Sequence, residues 1–77
     1  MNKHSTDVII HTSIPLSKSQ FDEVANQVKA IDGVIKFEQN SYSPRIIMVA
    51  YNTGKTKAIS ILNKITRLGF NASLVGI

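Results

Sequence analysis

The sequence predicts an α+β domain in which a strand–helix–strand unit occurs twice. Two segments have the apolar spacing of a helix, and each ends at a glycine, Gly33 or Gly69. The second apolar series begins 37 residues after the first and repeats its spacing. Short β-branched runs flank both segments. Two right-handed crossovers would place both helices on one face of a four-stranded antiparallel sheet, a ferredoxin-like βαββαβ sandwich.

The length of 77 residues allows one domain with a single core. Residues 1–6 are polar and are predicted to form a flexible tail, which leaves residues 7–77 as the folded domain. The hydrophobic fraction of 43% is ordinary for a globular protein and excludes disorder of the whole chain.

The chain contains no cysteine, which excludes disulfides, thiolate nucleophiles and thiolate metal sites. A small domain without disulfides is more typical of a reducing compartment. The first residues lack the apolar run of a signal peptide, and no segment has the apolar length of a membrane span. A cytoplasmic location without a membrane span is therefore expected.

The first strand is predicted at residues 7–13, where β-branched residues cluster, and Pro15 ends it because proline cannot donate to the ladder. Ser17 then fits a helix N-cap, and Gln20 stands where the second half of a capping box is expected. This pair predicts the start of the first helix.

The two helices are predicted from apolar faces of the same design. Asp22 and Glu23 are expected in the first turn of the first helix, where the helix dipole favours negative charge. The apolar residues of the two helices are Phe21, Val24, Ala25, Val28 and Ile31, and Ala58, Ile61, Leu62, Ile65 and Leu68.

The remaining strands are predicted at residues 34–40, 45–51 and 70–77, with a turn at residues 41–44. The strand at 45–51 is apolar on both faces, which favours a central position in the sheet.

One face of the predicted sheet is left without helices. If the odd-numbered residues of 47–51 point toward the helices, Ile46 and Met48 point away from them. On the first strand, Ile9 and His11 would also point away. Ile9, Ile46 and Met48 then form an apolar patch, and such patches often contact a partner protein or a second copy of the chain.

Three segments give the chain a family resemblance: residues 33–34 (Gly-Val), residues 49–52 (Val-Ala-Tyr-Asn) and residues 68–70 (Leu-Gly-Phe). At this spacing the chain resembles the heavy-metal-associated domain of copper chaperones and metal-transport ATPases, from Val8 to about Val75. The resemblance implies the same fold, and a partner protein that is guided by complementary charge.

The chain departs from that family at the metal-binding loop. The family motif is Met-x-Cys-x-x-Cys, and alignment from Gly33 places its cysteines on Ser17 and Gln20 and its methionine on Pro15. The soft thiolates that hold copper(I) are absent. Copper trafficking by the usual site is therefore not expected, and a helix cap explains both polar residues.

Histidine is the remaining candidate for a metal ligand. His11, and less directly His4, could bind copper, nickel or zinc, with Met48 or a residue of a partner completing the site. Two histidines fall short of the four ligands of a structural zinc site. No cofactor is therefore expected, and a transition metal at His11 stays an alternative.

The basic residues are concentrated in the second half of the chain. After Glu38 the chain has five basic residues and no acid. The segment up to and including Glu38 contains the other four basic residues and all five acids. Lys57, Lys64 and Arg67 are spaced to share the polar face of the second helix. This stripe is either a solvated face or a docking surface for an acidic partner.

These patterns predict a non-enzymatic protein-interaction module that docks through the open sheet face, the basic helix, or both. No acid pair, Ser-His-Asp set or thiol has the spacing of a catalytic site. Weak nucleic-acid binding is a further alternative, since RNA-recognition domains share this topology. They stack bases on sheet aromatics, however, and none is predicted on the open face.

Overall fold

A computed structural model describes residues 4–75 of the chain. Its strands pair antiparallel in the order β2-β3-β1-β4. This arrangement confirms the predicted ferredoxin-like sandwich, with both helices against one face of the sheet. The elements in chain order are β1 (Ser5–Thr12), α1 (Lys18–Lys29), β2 (Val34–Gln39), β3 (Ile46–Asn52), α2 (Ala58–Arg67) and β4 (Ala72–Val75).

Strict alternation along β3 divides the sheet into a buried and an open face. Ile47 and Val49 are fully buried and Tyr51 is nearly so, whereas the residues between them are only half-buried. Ile10 of β1 pairs with Ile47 and is also fully buried. The predicted assignment of β3 side chains to the two faces is confirmed, because side chains of a strand point alternately to opposite sides.

The helices close the core over the buried face. Val24 and Val28 of α1, together with Ile61 and Ile65 of α2, are fully buried. These positions are the ones that the helical spacing predicts. Neither helix of residues 4–75 has the length and apolar character needed to cross a membrane.

Strand β1 begins earlier than predicted. Its pairing with β3 starts at Ser5, opposite Asn52, rather than at Asp7. His4, the residue before β1, is also bonded to the residue that follows β3. The backbone amide and the hydroxyl of Thr53 both donate to the His4 carbonyl at 2.7 Å. The rest of the predicted tail, residues 1–3, lies outside the described residues, as do residues 76–77 of the predicted last strand.

Two predicted positions near helix starts are wrong. Helix α1 begins at Lys18, so Asp22 and Glu23 lie beyond its first turn, which contains no acid. Lys57 is the N-cap of α2 with extended backbone, not a residue of the helix. The amides of Lys55 and Thr56 both donate to the Asn52 carbonyl, at 3.0 and 3.1 Å, and this turn delays the start of α2.

Glycine is required where each helix gives way to the next segment. Gly33 and Gly69 have φ values of +105° and +100°, in the region that side chains with a Cβ rarely adopt. Strand β2 then begins irregularly, since its register against β3 shifts between Val34 and Lys36. Ile35 at this bulge is 56% exposed.

Candidate functional site

The open face of the sheet carries a row of side chains that crosses all four strands. Met48 pairs with Glu38 on one side and with Ile9 on the other, and Ile9 pairs in turn with Val75 of β4. Cross-strand neighbours on one face lie within contact distance of each other. The row therefore brings together two of the three residues that the sequence predicts for the patch.

The third predicted residue, Ile46, lies one row further along β3, opposite His11. We call Ile9, Ile46, Met48 and Val75 the sheet-face patch. The first three are half-buried and Val75 is 42% exposed. Val75 was not among the residues predicted from the sequence. Had Leu74 been assigned to the core, alternation along the strand would have placed Val75 on the open face.

The patch is apolar and not aromatic. Phe37 of β2 and Tyr51 of β3 are buried on the helix side of the sheet. Within residues 4–75 no aromatic side chain belongs to the patch, so bases cannot stack on it as they do on RNA-recognition sheets.

A charged pair borders the patch on β2. The Lys36 ammonium lies 3.0 Å from the Glu38 carboxylate, and both side chains are about half exposed (59% and 46%). Exposed pairs of this kind contribute roughly 0–1 kcal/mol to stability. Their main effect is to give the apolar patch a charged rim along the outer strand.

His11 is half-buried on the open face, between Ile46 on β3 and Ser73 on β4. Met48 is its diagonal neighbour, two residues from Ile46. His4 lies near the other end of β1, about 23 Å away for seven residues of strand. The two histidines are thus not brought together, and no cluster of three His, Asp or Glu side chains suited to a metal occurs within residues 4–75.

The loop between β1 and α1 is occupied by a helix cap. The Ser17 hydroxyl accepts a hydrogen bond from the Gln20 amide at 3.2 Å, and the Gln20 side-chain oxygen accepts one from the Ser17 amide at 2.9 Å. This is the capping box that the sequence predicts, and it is confirmed.

The same loop is fixed at its start by Thr12, which is fully buried. The Thr12 hydroxyl donates to the Ile14 carbonyl at 2.7 Å, and the Thr12 amide donates to the Arg45 carbonyl at 2.8 Å. Leu16 packs into the core while Ile14 stays 60% exposed. The loop is therefore a rigid turn rather than an open one.

The predicted basic stripe is only partly assembled. Lys64 and Arg67 lie together in the last turn of α2, where positive charge complements the helix dipole. With Ser60, Asn63 and Ile31 they line a shallow cavity of about 270 Å³ between the helices. Lys57 is the N-cap residue, directly before the first residue of α2. The stripe is on the helix side of the domain, opposite the sheet-face patch.

The comparison with solved structures supports the fold. No family model matches the chain, and no curated protein matches it either. Among solved structures, oxidized MerP from Ralstonia metallidurans CH34 superposes with a TM-score of 0.81 at 15% identity, covering 94% of this chain and 99% of MerP. The chain shares the ferredoxin-like fold of this neighbour.

Two further neighbours extend this likeness. The Cu(I)-loaded N-terminal domain of a potential copper-translocating P-type ATPase from Bacillus subtilis gives a TM-score of 0.82 at 15% identity, covering 94% of this chain and 89% of the neighbour. The yeast copper transporter domain CCC2A gives 0.77 at 23% identity, covering 90% and 93%. At these identities the likeness establishes the fold and not the activity.

The polar residues at the family's metal positions do not fit a soft metal ion. Ser17 and Gln20 offer hard oxygen donors, whereas copper(I) favours thiolates and thioethers. Their oxygens also already accept the two hydrogen bonds of the capping box. A metal at this loop would have to displace the cap that starts α1.

Proposed function

We propose that this domain is a non-enzymatic interaction module of the heavy-metal-associated fold that has lost the thiolate site and docks through the sheet-face patch. The observation that carries the proposal is the apolar row of Met48, Ile9 and Val75, which crosses three strands on the face that no helix covers. The proposed compartment is the cytoplasm, because a small domain without cysteine is more typical of a reducing compartment.

Burial explains why this row suits a partner. Ile9, Ile46 and Met48 are each only half-buried and therefore present apolar surface to solvent. Removing that surface from water on docking favours the complex, and the entropy lost on association offsets part of this gain. A second copy of the chain can supply the matching surface, since a two-fold interface uses the same patch on both subunits.

Substitution of Met48 tests the patch. Met48→Asp places a charge in the centre of the open face, and Ile59→Asp makes the same chemical change at a 51% exposed position on α2. Binding is measured as self-association by sedimentation and as proteins retained from an extract of the native cells. The proposal expects loss in Met48→Asp only; equal binding by the wild type and Met48→Asp would contradict it.

The basic stripe is the second docking surface of the proposal and suits an acidic partner. Lys64 and Arg67 lie side by side on α2, and none of the acidic residues follows Glu38 in the chain. Since the stripe and the sheet-face patch are on opposite sides of the sheet, a small partner would use one of them.

Charge reversal separates the two surfaces. The double variant Lys64→Glu/Arg67→Glu is compared with Lys18→Glu/Lys29→Glu, which changes the net charge equally at the two ends of α1. A partner that docks on the stripe is lost only in the first variant, and its binding weakens at high salt. Identical losses in both variants would mean that net charge alone matters.

Metal handling through His11 is the alternative function, favoured by the copper proteins among the structural neighbours. Met48 is the diagonal neighbour of His11 and offers a thioether, a ligand suited to copper(I). Titration of copper(I) by competition, and of copper(II), nickel and zinc by calorimetry, tests it. Micromolar or tighter binding that is lost in His11→Ala and kept in His4→Ala would support this alternative over a purely apolar patch.

A further inference from the structure

We propose that the end of the open face where β1, β3 and β4 meet binds a small oxyanion, a phosphate or carboxylate group, with Arg45 as its principal ligand. A shallow cavity of about 340 Å³ lies there. Its lining consists of His11, Ser13, Arg45, Asn71, Ala72 and Ser73. The site uses neither Ser17 nor Gln20, adjoins the loop between β1 and α1 through Ser13, and does not depend on docking at the sheet-face patch.

Arg45 is held in place by a bond that leaves most of its donors free. Its Nε donates to the Thr12 carbonyl at 3.1 Å, and its own carbonyl accepts from the Thr12 amide at 2.8 Å. Within residues 4–75 the two Nη atoms make no hydrogen bond or ion pair. A guanidinium fixed at Nε can offer its two terminal nitrogens together to a planar or tetrahedral oxyanion.

Further donors surround this guanidinium. His11 and Ser73 are direct cross-strand partners on the open face, so an imidazole and a hydroxyl stand side by side in the cavity. Asn71 adds a side-chain amide, and its carbonyl accepts the Ser13 amide at 3.0 Å, which ties the start of β4 to the end of β1. Three separate chain segments therefore present donors to one small space.

The charge of the cavity selects an anion over a cation. Residues 4–75 contain all five acidic residues of the chain, and none of them lines this cavity. A divalent metal at His11 would meet the Arg45 charge without a carboxylate to offset it, whereas an oxyanion would be attracted by that charge and could accept hydrogen bonds from Ser73 and Asn71. The cavity has room for a single phosphate or carboxylate group.

The test is a two-dimensional NMR titration of the ¹⁵N-labelled chain at constant pH and ionic strength. Inorganic phosphate and acetate are added in separate series, each balanced against sodium chloride. We expect saturable shifts of the Ser13, Ala72 and Ser73 amides. A response to phosphate alone identifies a phosphate group as the ligand, and a response to acetate as well identifies a site that also takes carboxylates.

Two variants that each lose one positive charge distinguish anion binding at this cavity from non-specific electrostatic attraction to the whole domain. Arg45→Gln should weaken binding at least tenfold, whereas Lys29→Gln, which removes one positive charge in the last turn of α1, should leave it within twofold. Retained dispersion of the spectrum shows that Arg45→Gln is folded, and Ser73→Ala, which keeps the Arg45–Thr12 bonds, should weaken binding by a smaller factor. Equal affinities of Arg45→Gln and Lys29→Gln, or no saturable shift of these amides with either anion, would overturn the proposal.

Discussion

Alanine at Gly33 should destabilise the domain clearly more than alanine at Gly69, although both glycines follow a helix with nearly the same φ. A Cβ at Gly33 would stand 2.7 Å from the Lys55 Cβ and 3.3 Å from the Thr56 Cγ2, whereas a Cβ at Gly69 would meet nothing within 4 Å. The Lys55 Cβ cannot rotate away, because it is bonded directly to the backbone. The Gly33 carbonyl also accepts the Asn52 amide at 2.7 Å, so the segment cannot easily shift.

The two costs can be estimated separately. Positive φ destabilises the folded state of an alanine variant by about 1–2 kcal/mol. Alanine also lowers the conformational entropy of the unfolded chain, which stabilises the protein by roughly 0.4–1 kcal/mol. The free energy of unfolding of Gly69→Ala should therefore fall by about 1 kcal/mol. Gly33→Ala carries the same cost plus about 1–3 kcal/mol for moving packed atoms apart, or about 3 kcal/mol in total. For a domain of this size the melting temperature should fall by about 6 °C and about 18 °C, respectively.

Urea unfolding followed by circular dichroism, with the m-value checked for each variant, measures both free energies. Gly33→Ser should behave like Gly33→Ala, because the conflict arises at Cβ. Equal losses at Gly33 and Gly69 would refute the reasoning, since they would mean that the 2.7 Å contact with Lys55 relaxes at no cost.

Further substitutions test other parts of the structure. Ser17→Ala removes half of the capping box and should cost about 1 kcal/mol in urea unfolding; no change would mean that the cap is not formed in solution. Ile47→Ala opens a cavity at a fully buried position and should cost about 2–5 kcal/mol, whereas Ile35→Ala at the exposed bulge should shift the thermal midpoint by no more than a few degrees. Thr12→Val leaves the Ile14 carbonyl without its 2.7 Å donor and should cost about 1–3 kcal/mol by calorimetry; a neutral result would show that water replaces the hydroxyl.

The fold follows from the sequence because its signals are periodic and agree with one another. The apolar spacing before Gly33 and Gly69 gives both helices, and the alternation along β3 gives the two faces of the sheet. The capping box was also predictable, since it is a contact between residues three apart.

Features that depend on contacts between distant parts of the chain could not be predicted from the sequence. The start of β1 at Ser5 rests on pairing with Asn52, and the position of Lys57 outside α2 rests on the turn at Asn52. Arg45 reads as an ordinary strand residue, and only its bond to Thr12, 33 residues away, shows that its guanidinium is fixed. Long-range contacts of this kind leave no local pattern in the sequence.

The bulge in β2 alters one of the two outer edges of the sheet. An outer strand normally offers unpaired amides and carbonyls on which another chain can extend the sheet. Here the register shift at Ile35 bends the start of that strand, and the Lys36–Glu38 pair places charges along its length. Pairing of a second chain is thereby discouraged along β2, so of the two outer strands only β4 keeps a regular edge free of such charges.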